Sequence, residues 1–305
     1  MAPKKCKKYE KVVTLACVNF NTVWGNKEAT LEKMKANIIE AAAQGSNIIV
    51  FPEMALNGMD CSDDVSLEQR PCDMHMETGE TVPGPSTQLV ACLAKEYDVY
   101  VIFGMAERDE LNPKILYNSV AIVAPEGIMG TYRKIHLGTL PWVTEGICFR
   151  PGTELPIWET KYGLIGIQIC YDFWFNPELS RIQALKGAHL IINCSGSWLG
   201  PRDHMLRQTA ARAAENLVYT ATANLVGSQN GKCYYGHSVI AGPDFPRFSR
   251  IYIEAGDGEE IISTTCNFEK LQRWGGVFPW REWRRSKGRL TAASKLIARE
   301  FEALV

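Results

Sequence analysis

Residues 163–178 read GLIGIQICYDFWFNPE. Six of the first seven are small or apolar, with Leu164, Ile165, Ile167 and Ile169 among them, which predicts a buried strand over 163–169. The run then ends on Cys170 and breaks into an aromatic, acidic, proline-containing turn. A core strand has no need of a thiol at its last position. A nucleophile does, because loops at strand ends are where reactive groups reach a cleft. Pro177 suits the first position of a helix, predicted over 177–186. Helix N–H groups close to Cys170 are expected to favour its thiolate.

Outward from this stretch, strand-like and helix-like segments alternate. Strands are predicted over 12–19, 47–51, 99–105, 115–124, 127–133, 188–194 and 218–224, with shorter ones at 236–241, 250–254 and 260–266. Helices are predicted over 27–44, 86–97, 203–217 and 290–302. The pieces EAAAQGSNIIVFPE and QALKGAHLIINCS share one layout: helix, small residue, then an apolar strand ending at a polar site. This suggests a duplicated βαβ-like unit in a layered α/β fold, with helices outside two sheets. No Gly, Ser or Pro linker marks a boundary, so residues 1–305 are expected to form one domain.

Composition narrows the function classes. The chain is 46% hydrophobic and 22% charged, ordinary for a soluble globular protein with a sizeable core. A net charge of −1 gives no global field for nucleic acid, and no polybasic block argues for a membrane surface. The lysine-rich start leads into a strand rather than a secretory signal, and no run of 18 apolar residues exists to span a bilayer. The ten cysteines stand singly, without C-x-x-C pairs or zinc-like Cys/His spacing. They are expected to be free thiols in a reducing cytoplasm, most of them packing as small hydrophobes.

Two further apolar runs end on groups that match a thiol nucleophile. Glu53 follows NIIVFP, and a carboxylate directly after a buried strand is partly desolvated and gains basicity. Lys134 follows GTYR, and a lysine near a thiol lowers its pKa and holds an oxyanion. Taken singly, each has a plainer reading: a solvated turn glutamate, a surface lysine, a packed cysteine.

Taken together, the stretch resembles the nitrilase superfamily of carbon–nitrogen hydrolases. The resemblance rests on NIIVFPE, GTYRKIHL, GLIGIQICYDFWFNPELSR, ARAAENLVYTATANLVG and GHSVIAGPD, in the family's order from about Val12 to about Arg273. It implies a four-layer α-β-β-α sandwich of the carbon–nitrogen hydrolase type. It also implies Glu53 as general base, Lys134 as stabiliser of the tetrahedral intermediate and Cys170 as nucleophile. Glu145, in EGICFRPG, is the implied partner of the lysine. Cys170 would attack a linear C–N bond of an amide or N-carbamoyl compound, form a thioester and release ammonia or an amine. No metal or organic cofactor is implied, and the expected partners are the small substrate and further copies of the chain, as a homodimer or larger assembly. The alternatives are a nitrilase acting on a nitrile, or a non-catalytic binding member. The form CYD-x-W-F leans toward amidases, since nitrilases more often carry C-W-E.

Pocket residues are less sharply marked. Tyr171 would offer a backbone N–H to the oxyanion, and Trp174 belongs to the pocket wall. For Trp198, pocket lining and plain packing stand side by side; His204, with Arg207, either faces a substrate carboxylate or is a solvated helix start. Asp172 and His136 are expected to order the elbow rather than react. Asn176 departs from the family's C-Y-D-x-x-F-P-E, lengthens the turn by one residue and is expected to shift Phe173 and Trp174 in the wall. The aromatic, basic tail from about 273 to 305 is expected to pack at a subunit interface.

Overall fold

In a computed structural model describing residues 9–59, 71–138, 145–198, 202–244, 246–281 and 289–303, the opening stretch is a strand read on both faces. Ile165, Ile167 and Ile169 enter the main core, while Gln168 on the opposite face bonds Ser180 and Gln183 of the covering helix. The same period of two runs through the first strand: Val13, Leu15 and Cys17 face one core, Ala16 and Val18 another.

Two six-stranded sheets carry these faces. The first contains β1 (Val12–Asn19), β2 (Ile48–Val50), β3 (Tyr100–Arg108), β4 (Leu116–Ala124), β5 (Gly127–Arg133) and β14 (Glu260–Asn267), in the order β14-β1-β2-β3-β4-β5. The second contains β6 (Ile157–Glu159), β7 (Leu164–Ile169), β8 (Leu190–Ser195), β9 (Tyr219–Asn224), β12 (Val239–Asp244) and β13 (Phe248–Glu254), in the order β13-β12-β9-β8-β7-β6. In each, three central parallel strands (β1-β2-β3 and β7-β8-β9) are bounded by one antiparallel strand on one side and two on the other. The duplication suggested by the two similar sequence pieces is thus a repeat of strand order. Its difference is a hairpin, β10 (Val226–Gln229) and β11 (Lys232–Tyr235), placed between β9 and β12.

The sheets bury their facing sides together as the main core. Helices α1 (Lys27–Ala43) and α3 (Pro85–Tyr97) cover the outside of the first sheet, through Met34, Ile38, Val90 and Leu93. Between them in sequence lies the short α2 (Asp73–Thr78), and α4 (Glu145–Cys148) follows the first five strands. Helices α5 (Tyr171–Phe175), α6 (Pro177–Lys186) and α7 (Arg202–Asn216) cover the second sheet through Phe173, Trp174, Ala184 and Met205. The result is the four-layer α-β-β-α sandwich.

At the end of the chain come α8 (Glu269–Val277) and α9 (Arg289–Glu302). Trp274 and Phe278 stack on each other and tilt against Phe248, and Arg281 bonds the carbonyls of Ala188, Asn216 and Leu217, so this part of the tail packs on its own chain. Helix α9 leaves Leu296, Ile297 and Phe301 exposed. Among the described residues, no helix is long and apolar enough to cross a membrane.

The predicted elements differ from the observed ones where turns intervene. The strand predicted over 236–241 begins at Val239, because Gly236 and His237 both adopt positive φ. The hairpin before it was carried by an unread signal: Asn230-Gly231, both at positive φ, is the pair that a tight two-residue turn requires.

One glycine places the first candidate site residue. Gly104 on β3 donates to Pro52 O at 3.0 Å, and a Cβ there would lie 2.3 Å from Met54 N and 2.5 Å from Pro52 O. The turn bearing Glu53 therefore rests directly on the sheet. Gly104→Ala is expected to cost about 1–3 kcal/mol through overpacking. Gly275→Ala, in α8 with open space around it, is expected to gain roughly 0.5–1 kcal/mol. Urea unfolding of the two variants measures both, and equal effects would contradict this account.

Candidate active site

Each sheet delivers its reactive groups from strand ends. Glu53 lies three residues beyond β2, and Lys134 directly follows β5. Glu145 opens α4, and Cys170 directly follows β7. Three of these charges are buried: Glu53 is 0% exposed, Lys134 2% and Glu145 7%. Buried charges are tolerated only when paired and fully hydrogen-bonded. Here the Lys134 ammonium lies 2.8 Å from Glu53 Oε1 and 2.8 Å from both oxygens of Glu145. Its donors match three carboxylate oxygens.

The remaining lone pairs are met as well. Asn118 Nδ2 donates to Glu53 Oε1 at 2.7 Å and to Glu145 Oε1 at 2.8 Å. The Gly196 N–H donates to Glu53 Oε2 at 2.9 Å, reaching from the end of β8 across to the first sheet. The Gly138 N–H donates to Glu145 Oε2. Burial is the largest influence on Glu53 and pushes its carboxyl above the ordinary range; Lys134 opposes this and Glu145 adds to it. Burial also works against the Lys134 ammonium, but Glu145 and Glu53 outweigh it and hold its pKa well above the usual lysine value. Lys134 is a fixed cation.

Cys170 adopts φ 44° and ψ −99°, on the side of the backbone map that a residue with a Cβ rarely occupies. Its N–H bonds both Cys194 O at 3.0 Å and Asn193 Oδ1 at 2.8 Å, and its carbonyl accepts from Phe173 and Trp174 N–H. This elbow turns the thiol out of the strand's alternation. The expectation of a lowered thiol pKa fails. Burial pushes the thiol up to about 12, Glu53 raises it further, and Lys134 and a hydrogen bond from Ser195 oppose without prevailing. The resting group is a thiol, and the nearby helix that begins immediately after it is the five-residue α5 rather than α6.

The fully buried Asp172 ties elbow to lysine segment. Its carboxylate accepts from Tyr132 OH (2.7 Å), Ile135 N (3.2 Å), His136 N (2.8 Å) and His136 Nδ1 (2.9 Å). The bond to Asp172 raises the His136 pKa against burial. Asp172 and His136 thus occupy positioning places.

A cavity of about 310 Å³ opens on this cluster. Lys134, Glu145, Cys170, Tyr171, Trp174, Trp198 and His204 all line it, while Glu53 stands behind Lys134 and Arg207 is not in the lining. Phe175, Tyr235 and Met59 also line it and were not singled out. Phe173, expected in the wall, is 0% exposed in the core instead. Asn176 Nδ2 bonds Tyr171 O at 3.1 Å, so the extra residue closes α5 and leaves Phe175 turned outward. Asn118 was also missed; its signal was an amide inside the otherwise apolar LYNSVAIVA strand, which must find partners when buried. Among the described residues, no group of three or more His, Cys, Asp or Glu side chains is arranged to hold a metal ion.

Comparison with known proteins agrees with this geometry. Residues 14–275 match the family described as Carbon-nitrogen hydrolase. A probable nitrilase of Schizosaccharomyces pombe is 34% identical over 75% of this chain and 80% of its own. The omega-amidase of Homo sapiens is 32% identical over 77% of this chain and 81% of its own, and the citrullinase of Francisella tularensis 29% over 86% and 92%. The crystal structure of a Saccharomyces cerevisiae member of branch 10 of the nitrilase superfamily superposes with a TM-score of 0.77 at 27% identity, covering 92% of this chain and all of its own. The chain belongs to the carbon–nitrogen hydrolase family, within the nitrilase superfamily.

Proposed function

We propose that the protein hydrolyses a linear C–N bond of an amide or N-carbamoyl compound through a thioester on Cys170, releasing ammonia or an amine. The observation that carries this reading is the Cys170 thiol on the same cavity as the buried Lys134, which is paired with Glu145 on that wall and with Glu53 behind it. Glu53, its basicity raised by burial, takes the Sγ proton as sulfur bonds to the substrate carbon. The carbonyl π electrons move to oxygen, where Lys134 and the Tyr171 N–H balance the charge, a stabilisation worth about 3 kcal/mol per donor. Protonated Glu53 passes its proton to the leaving nitrogen, the C–N bond breaks and the thioester remains. Glu53 then deprotonates a water that attacks the thioester carbon, giving the acid and restoring the thiol. Glu145 keeps Lys134 in place by its two-oxygen contact.

A second reading, attack on a nitrile carbon, is favoured by the similarity to the probable nitrilase of S. pombe and to a nitrilase of Pyrococcus abyssi that is 33% identical over 76% of this chain. Paired amides, ureido compounds and nitriles of one acyl skeleton separate the readings by which releases ammonia fastest. Carbon dioxide beside ammonia marks a carbamoyl substrate.

Cys170→Ala is expected to abolish ammonia release while leaving the urea midpoint within experimental scatter; persistent release would remove Cys170 from the nucleophile's role. Loss of the base in Glu53→Gln is expected to lower kcat/KM by about 10²–10⁴-fold. The pH profile follows from the same two groups. Glu53 must be ionised to accept the proton and its pKa is raised, so the acid limb of kcat/KM lies above the usual carboxylate range. Because the thiol is pushed up to about 12, activity should show no rise between pH 8 and 9, where an ordinary cysteine ionises, about 8.5. A rise there would mean that a preformed thiolate reacts.

A further inference from the structure

We infer that the acyl side of the substrate carries a flat, uncharged aryl group held between two aromatic jaws; this rests on the cysteine-hydrolase reading above and names the substrate class it serves. One jaw is α5, which contributes Tyr171, Trp174 and Phe175; Tyr171 and Phe175 rings lie 4.7 Å apart. The other comprises Trp198, just past β8, and Tyr235, on the hairpin strand β11 that breaks the repeat of the two sheets. His204 of α7 closes the side between them, stacked on Phe175 at 6.0 Å and tilted against Trp174 at 5.9 Å.

The charge inventory decides against the other substrate classes. Among the described residues, the wall's charged side chains are Lys134 and Glu145, and both are bound into the buried lattice with Glu53. A carboxylate or ammonium at the far end of a substrate would therefore lose its hydration against aromatic rings with no free charge of opposite sign among the described wall residues. Cationic substrates meet a further obstacle. Lys232 lies 5.0 Å over the Trp198 ring, and burial, with Arg207 and Arg212 adding to it, lowers the His204 pKa, so a cation meets like charges on this side of the cavity. An aryl group has the opposite balance: it exchanges water for ring faces and edges at 4.5–7 Å separations, each such pair adding to the area buried.

The test compares 3-phenylpropanamide, succinamate and 4-aminobutanamide, which present an aryl group, an anion and a cation beyond a short acyl chain. Ammonia release by the full chain at pH 7.5 gives kcat/KM for each, and calorimetric titration of Cys170→Ala gives affinity without turnover. The aryl amide is expected to exceed both charged amides by at least about tenfold in each measurement. Phe175→Ala and Trp198→Ala are each expected to shrink that ratio. Equal or better use of succinamate or 4-aminobutanamide would overturn the inference, succinamate by revealing a cationic contact and the amine by revealing a cation–π cage. If no amide releases ammonia, the amide part of the hydrolase reading fails, while binding to Cys170→Ala still decides the wall's preference.

Discussion

The contact on which the rest depends is the Lys134 ammonium held between Glu53 and Glu145, at 2.8 Å on each side. An unpaired charge at that depth costs far more than a surface ion pair gains, so each partner's position is enforced by the others. The surrounding structure is arranged to meet their lone pairs: the Asn118 amide bridges the two carboxylates, and main-chain N–H groups of Gly138 and Gly196 close the set. All four carboxylate oxygens of Glu53 and Glu145 are bonded, which fixes their geometry, while the Asn118 Oδ1 beside them has no partner among the described residues. That arrangement holds a carboxylate and an ammonium 2.8 Å apart, and in the proposed reaction the two serve different steps.

The same burial sets the state of the nucleophile. The sequence suggested an activated thiolate, because lysine and helix N–H groups both favour one. The structure reverses this, since desolvation and the Glu53 carboxylate exceed the help from Lys134 and Ser195. A thiol that ionises only by handing its proton to Glu53 couples nucleophile formation to base protonation. In the proposed reaction, the proton later needed by the leaving nitrogen is thereby already held on Glu53.

How much of this was legible in residues alone depended on range. Period-two strands such as GLIGIQI and the reactive group at each strand end could be read locally, because burial alternation and strand ends are written in neighbouring residues. Glu53, Lys134 and Cys170 stood out only in combination, through their order along the chain. Tyr235 was invisible because its place depends on the hairpin turn at Asn230-Gly231, and Phe175 because its direction depends on where Asn176 closes α5. Phe173 and Trp174 are adjacent aromatics in one apolar cluster, and only the three-dimensional course of a five-residue helix sends one fully into the core and leaves the other against the cavity. The thiol's pKa was misjudged for a related reason: a count of nearby charges omits the cost of losing water.

The repeated strand order has a consequence for when chemistry becomes possible. Glu53 and Lys134 stand at ends of strands in the first sheet, Cys170 and Gly196 at ends of strands in the second. The ties that join them, Gly196 to Glu53 and Asp172 to the segment after Lys134, all cross from one sheet to the other. Either sheet alone therefore holds Glu53 and Lys134 without Cys170, or Cys170 without them. In the proposed reaction, turnover requires the two sheets docked, which would make it a reporter of their assembly.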